Sequence, residues 1–285
     1  MYYQFDPVEG GYNLVITGEG AIPDYVNPDD TPWGEYRNLI KGIVVSDGVT
    51  YVGKNAFALF GEATSVTIAD SVTSIGNQAF CESGLTSVTL PAGITSVGEG
   101  AFRDCTGMTS ATIPDSVTVI GKEAFHGCVN LKDLYISAGL EELGDYAFCE
   151  SGLTSVTLPA GITSVGEGAF RDCTEMTSAS IPDSVTVIGK EAFRGCTNLK
   201  DLYISAGLVE LGDDAFGDLE FYSSDGTTLL PKDVAHLRGA RFTEVSGKLV
   251  LQSSGGGPEF PLWIPAVIAI AAIGAATCFL ISKRA

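Results

Sequence analysis

The sequence has little of what most protein chemistry requires. It holds two histidines, His126 and His236, in 285 residues. The metalloprotease pattern HExxH, paired CxxC ligands and the Walker loop are all absent, as is the GxSxG elbow of serine hydrolases. Seven cysteines are too sparse for a small disulfide scaffold, and no Asn-x-Ser/Thr acceptor occurs. Basic residues are scarce too: 16 against 35 acids give a net charge of −19. That field repels phosphate backbones, which argues against nucleic acid as a partner. Residues 1–13, MYYQFDPVEGGYN, lack the basic start and apolar run of a signal peptide. What remains, 45% apolar and 18% charged, is a chain that folds.

Repetition organises it. Ala-Phe recurs at Phe57, Phe80, Phe102, Phe125, Phe148, Phe170, Phe193 and Phe216, at intervals of 23, 22, 23, 23, 22, 23 and 23 residues. A V-T-x-I/V-G stretch stands before most of these pairs, as in Val72–Gly76 and Ile94–Gly98, and an apolar-x-x-apolar-x-apolar run comes after, as in Leu85, Val88, Leu90. Residues 81–148 and 149–216 also form two 68-residue blocks that differ at six positions: Gly107/Glu175, Thr112/Ser180, His126/Arg194, Val129/Thr197, Glu141/Val209 and Tyr146/Asp214. A unit of 22–23 residues cannot bury its own apolar face, but stacked units can. The reading is a repeat solenoid. One short strand per coil builds a parallel β-sheet on one face, with short irregular and turn segments on the other. Gly76, Gly98 and Gly121 are assigned to the chain reversal, and Pro91, Pro114, Pro159 and Pro182 to strand ends.

The runs LTSVTLPAGITSVGEGAF and MTSATIPDSVTVIGKEAFHGC resemble the BspA-like leucine-rich repeat family over about residues 38–217. The resemblance implies a leucine-rich repeat solenoid. It also implies a place among proteins that are mostly displayed on cell surfaces and often linked to adhesion.

The ends depart from the repeat. Residues 1–37 read as an N-terminal cap ahead of eight coils over 38–217, with Leu14, Ile16, Trp33 and Tyr36 available to cover the first coil. The acids Asp24, Asp29, Asp30 and Glu35 in the cap lack EF-hand spacing and read as a solvated loop, with a calcium site the weaker alternative. Residues 218–251 read as a C-terminal cap. It would hold a hairpin turning at Asp225-Gly226, a short helix between Pro231 and Gly239, and a last strand over Lys248–Leu251. Residues 252–261 form a glycine-rich linker. Leu262 to Ile281 is twenty residues without a charge, enough for one C-terminal transmembrane helix in a lipid bilayer. The basic tail 282–285 would stay cytoplasmic, which puts the repeats outside. The order Pro258-Glu259-Phe260-Pro261, apolar stretch, basic end also resembles a PEF-type archaeal sorting signal, in which the segment is removed. The missing N-terminal signal leaves two other readings open: a start upstream of Met1, or a tail anchor with the repeats facing the cytoplasm.

Chemistry is thin. Cys105, Cys128, Cys173 and Cys196 fall three residues after a repeat phenylalanine and read as a buried thiol ladder. Bridges Cys105–Cys128 and Cys173–Cys196 are the alternative, since adjacent coils lie within disulfide reach. Cys81 and Cys149 read as semi-buried and unpaired. Arg194 stands where the sister block has His126, and His236 falls in the expected cap helix, so neither makes a general base. The acid pairs Glu141-Glu142 and Asp213-Asp214 read as solvated. No catalytic, metal or cofactor residues are assigned. The outward strand positions are Ser87/Thr89, Ser110/Thr112, Ser155/Thr157 and Ser178/Ser180, broken every third coil by Lys-Asp-x-Tyr. Lys132, Asp133 and Tyr135, with Lys200, Asp201 and Tyr203, are therefore the candidate binding strip, because tyrosine brings large contact area at small rotamer cost. The implied work is binding, to a protein or glycan on another cell or a matrix. A structural spacer or stalk without a dedicated ligand is the second reading, and an enzyme has no site to point at.

Overall fold

The structure is a computed structural model and describes residues 1–136, 138–217, 219–222, 228–229, 238–245 and 248–254. The Asp225-Gly226 turn, the helix expected from Pro231 (with His236), most of the linker, the apolar stretch Leu262 to Ile281 and the tail lie outside these residues. Among the described residues no helix is long and apolar enough to cross a membrane.

The described chain is a parallel β-solenoid. Each coil supplies a front strand from its L-T-S-V-T-L stretch, a back strand from V-T-x-I/V-G, and a turn carrying Ala-Phe. The back was expected to be irregular, and here the structure corrects the sequence reading. Nine short strands, from Gly20–Ala21 and Val49–Val52 through Ser74–Ile75, Ser96–Val97, Val119–Ile120, Glu142–Leu143, Ser164–Val165 and Val187–Ile188 to Glu210–Leu211, form one unbroken parallel ladder. The β-branched residues at these positions fit a pleated surface buried on one side, and every second residue is inward: Ile75, Val97, Ile120, Leu143, Val165 and Ile188 are buried.

The front differs in the opposite sense, because its ladder is not continuous. Ile40–Val45 and Ser65–Ile68 join the N-terminal strands; Ser87–Thr89, Ser110–Ile113 and Asp133–Ile136 form a separate panel; Ser155–Thr157, Ser178–Ser180 and Asp201–Tyr203 join the C-terminal strands. Both breaks fall where the interval between phenylalanines is 22. There Leu85 and Leu153 come five residues after their phenylalanines, whereas Met108 and Met176 come six after theirs. The residue missing from the lead-in to the front strand coincides with the loss of ladder pairing to the preceding coil.

Seven successive ring-to-ring steps, from Phe57 to Phe216, have centroid separations of 5.2–5.7 Å and interplanar angles of at most 24°. All eight rings are fully buried. The turn beneath them is itself a ladder: the Phe80 N–H donates to the Ala101 carbonyl at 2.8 Å, Phe102 to Ala124 and Phe125 to Ala147, and so on up the stack. These donors can all point toward the next coil because the residue two before each phenylalanine is left-handed, at Asn55, Gln78, Gly100, Glu123, Tyr146, Gly168, Glu191 and Asp214. The reversal is therefore made there, and not at the Gly76 column as the sequence suggested. Those glycines serve close approach: a Cβ at Gly98 would lie 2.7 Å from the Asn77 backbone nitrogen, and one at Gly166 would lie 2.8 Å from that of Asp145.

Both ends imitate a coil. Trp33 stacks on Phe57 at 5.6 Å and 19°, and its indole N–H donates to the Ala56 carbonyl at 2.8 Å. One side chain thus supplies the ring and the donor that a preceding coil would have offered. Leu14 and Ile16 are buried as expected, while Tyr36 is exposed. The hairpin Tyr2–Val8/Gly11–Thr17 was not foreseen. At the other end Phe216 meets Phe221, and Phe221 meets Phe242, edge to face. Phe221–Tyr222 pairs antiparallel with Thr228–Leu229. The last strand, Lys248–Ser254, runs three residues beyond its expected end. The cap strand Ala240–Val245, which docks on Asp201–Tyr203, was missed altogether. Its signal was present in the alternation of Ala240 and Phe242, both buried, with Arg241 and Thr243.

Candidate functional site

The six thiols among the described residues are free. Cys105 and Cys128 each donate to the carbonyl of the phenylalanine one coil back, Phe80 at 3.1 Å and Phe102 at 3.2 Å, and Cys173 and Cys196 do the same with Phe148 and Phe170. The ladder reading describes this arrangement, and the disulfide alternative does not. Burial pushes Cys105 up to about 12 and Cys173 up to about 11, only partly offset by their contacts to Ser83 and Ser151. Burial raises Cys81 to about 11 and Cys149 to about 12 as well. Cys149 is buried, not semi-buried, while Cys81 is partly open. Thiols held so far from ionisation are poor nucleophiles.

The cap aspartates are engaged locally. Asp24 accepts the Lys54 N–H at 2.6 Å and the Tyr51 hydroxyl at 3.0 Å; Asp29 pairs with Arg37; Asp30 accepts the Asn27 N–H at 2.9 Å. Among the described residues no group of three or more His, Cys, Asp or Glu is placed to hold a metal ion. The Nδ1 of His126 is buried without a hydrogen-bond partner among the described residues. Its counterpart Arg194 pairs with Glu191 at 3.1 Å.

On the front face the register runs Ser87–Ser110–Asp133 and Thr89–Thr112–Tyr135 in one panel, and Ser155–Ser178–Asp201 and Thr157–Ser180–Tyr203 in the next. A flanking column of threonines braces the coils: the Thr86 hydroxyl donates to the Thr64 carbonyl at 3.1 Å, Thr109 to Thr86 at 3.2 Å and Thr177 to Thr154 at 3.0 Å. Lys132 and Lys200 occupy this column and forgo the brace.

The two copies of the strip, identical in sequence, stand in different surroundings. Asp201–Tyr203 carries the cap strand, with Asp201 opposite Thr243, Leu202 opposite Phe242 and Tyr203 opposite Arg241. Arg241 grips Asp201 with two nitrogens, at 2.8 and 3.3 Å, and Lys200 pairs with Glu244 at 3.1 Å. Tyr203 is 9% exposed and donates to Asp183 at 2.6 Å. Burial first, and that bond second, raise its phenol to about 12. In the other copy Lys132 and Asp133 are exposed and form no ion pair among the described residues. Tyr135 is 53% exposed, and Leu134 and Ile136 are only partly buried where Leu202 and Ile204 are fully so. A site using both tyrosines on one open surface is not what the structure places there. The open copy is Lys132, Asp133 and Tyr135.

The profile of the BspA type leucine rich repeat region matches residues 35–151 and 118–227, in six copies. A leucine-rich repeat protein from Eubacterium ventriosum is similar at 25% identity and a TM-score of 0.49, over 72% of this chain and 64% of its own. One from T. pallidum is similar at 25% identity and 0.45, over 74% and 82%. A leucine rich cell surface protein from Faecalibacterium prausnitzii is similar at 25% identity and 0.35, over 62% and 61%. The chain thus spans less than two thirds of the first and third of these. No curated protein matches the sequence. Because the repeat profile covers well over half of the 285 residues, the chain belongs to the BspA-type leucine-rich repeat family.

Proposed function

We propose that this is a non-enzymatic binding protein of a cell surface, and that it engages a partner through the front face of its solenoid in adhesion. Membership in a family of mostly surface-displayed proteins supports display. The apolar run Leu262 to Ile281, with Lys283 and Arg284 after it, supports attachment to a bilayer with the repeats outside.

One observation carries the binding reading. Tyr135 stands open, flanked by the charges Lys132 and Asp133, unpaired among the described residues, on a strand backed by a fully buried ring file. A large amphipathic side chain on a stiff support loses little freedom when a partner covers it. The test is binding of the full chain to panels of extracellular proteins and glycans, with Tyr135→Ala alongside. Binding that falls about tenfold or more in the variant, the effect of losing a tyrosine anchor, supports the face. Binding that is unchanged in a folded variant removes it, and a chain that binds nothing fits the spacer instead.

A further inference from the structure

The cap shows what covers a Lys-Asp-x-Tyr strip. In one coil Lys200, Asp201 and Tyr203 receive Glu244 and Arg241, which lie three residues apart on an extended strand. The same sequence one block earlier, Lys132-Asp133-Leu134-Tyr135, has the Ser155–Thr157 coil on that side instead of a cap strand, and its Lys, Asp and Tyr side chains stay exposed on the front face. We propose that Lys132, Asp133 and Tyr135 recognise a protein segment presenting an arginine and, three residues on, a carboxylate, the chemistry that Arg241 and Glu244 bring to the sister strip. This rests on the reading of the front face as a binding surface and names the class of its partner.

Three observations favour a peptide of this kind. The strip is bipolar, so it rewards a ligand carrying both signs close together, and juxtaposed like charges reject one with the order reversed. Its carboxylate is free for the two-pronged grip that Arg241 takes on Asp201, a geometry only arginine provides. Among the described residues Asp115, the counterpart of the Asp183 that holds the Tyr203 hydroxyl, accepts only the Ala138 N–H at 2.8 Å, so Tyr135 has not been drawn down onto it. The net charge of −19 adds repulsion of sulfated or sialylated glycans.

The test uses the full chain and a labelled hexapeptide, Ala-Arg-Phe-Thr-Glu-Val, the sequence of residues 240–245. A second peptide has its Arg and Glu exchanged. Fluorescence anisotropy is expected to show saturable binding that weakens roughly tenfold or more for the exchanged peptide and for the double variant Lys132→Glu/Asp133→Lys, the scale of losing close charge pairs. The exchanged peptide should recover on the double variant. Invasion of the chain's own cap by the peptide would not respond to changes at Lys132 and Asp133, so binding indifferent to that variant overturns the proposal. So does equal affinity for both peptides, or no binding by the wild-type chain. If the peptide fails while panel binding still depends on Tyr135, the face binds by another chemistry, a neutral glycan included, and only this inference falls. If both fail, the function reading falls with it.

Discussion

Residues 81–148 and 149–216 differ at six positions, and their cores match accordingly. Phe125 stacks on Phe102 at 5.2 Å and Phe193 on Phe170 at 5.2 Å. The Cys105 thiol sits 3.2 Å from Ser83 as Cys173 sits 3.2 Å from Ser151, and Arg103 pairs with Glu123 at 3.0 Å as Arg171 does with Glu191. Their third front strands nevertheless diverge: Tyr135 is open and Tyr203 is closed. Every residue from Leu131 to Leu140 recurs at 199–208. The difference therefore comes from the neighbour on the C-terminal side, another coil in one case and the Ala240–Val245 strand in the other. A repeat fixes its own interior, while its neighbours set the state of its surface.

The largest effect should be the one the blocks share. Phe125→Ala and Phe193→Ala each open a cavity in a close-packed file and should each cost about 3–5 kcal/mol. Chemical denaturation of both variants checks this. A loss below about 1 kcal/mol at either site would remove that ring from the core, and unequal losses would show that the cap stiffens its own block. Next comes a contrast. Asp201→Ala breaks the Arg241 grip and should cost about 1 kcal/mol at a partly exposed pair, whereas Asp133→Ala should cost nothing measurable. Equal effects would mean that the charges of the open strip are already engaged.

Titration sharpens the same contrast. The raised pKa of Tyr203 means that its neutral form is favoured by folding. Its contribution is complete below the ordinary tyrosine value near 10. It is lost as pH climbs through about 12. In a spectrophotometric titration of the folded chain, Tyr203→Phe should therefore remove one late-ionising phenol. Loss of an early one instead would refute the closed state. The smallest effect is expected at one of the six positions where the blocks differ. His126→Arg should recreate the Arg194–Glu191 pair against Glu123 and remove a buried unpartnered nitrogen, raising stability by about 0.3–0.5 kcal/mol as an (i, i+3) pair does. A destabilised variant would show that Cys149, which stands where Gly217 follows the second block, crowds the arginine, since a Cβ at Gly217 would lie 2.9 Å from the Arg194 side chain.

Much of the fold was legible because period and composition carry it. The eight Ala-Phe pairs, at intervals of 22 and 23, were enough to expect one internal file of rings. The column of cysteines was enough to expect a ladder of small buried groups. The glycine column misled because glycine has two uses, and only coordinates separate a left-handed turn from a close backbone approach. Here the turn residues include Gln78, Glu123 and Tyr146, types with no bias toward positive φ, held there by hydrogen bonds to the next coil. The cap strand Ala240–Val245 was missed because it occurs once, with no second copy to reveal its alternation. The closing of Tyr203 was hidden for the same reason: nothing in Lys200–Tyr203 announces that a strand some forty residues on will pair with it.

The sequence by itself determined the coil. A recurring pattern of apolar, glycine and aromatic positions can bury its surface only against copies of itself, so stacking, ring file and thiol ladder arise from local pattern alone. The tertiary structure decided which copies of the repeat remain accessible. That depends on Trp33 replacing a coil at one end and on Arg241 and Phe242 closing the other. These are contacts between segments far apart in the chain, and no local period encodes them.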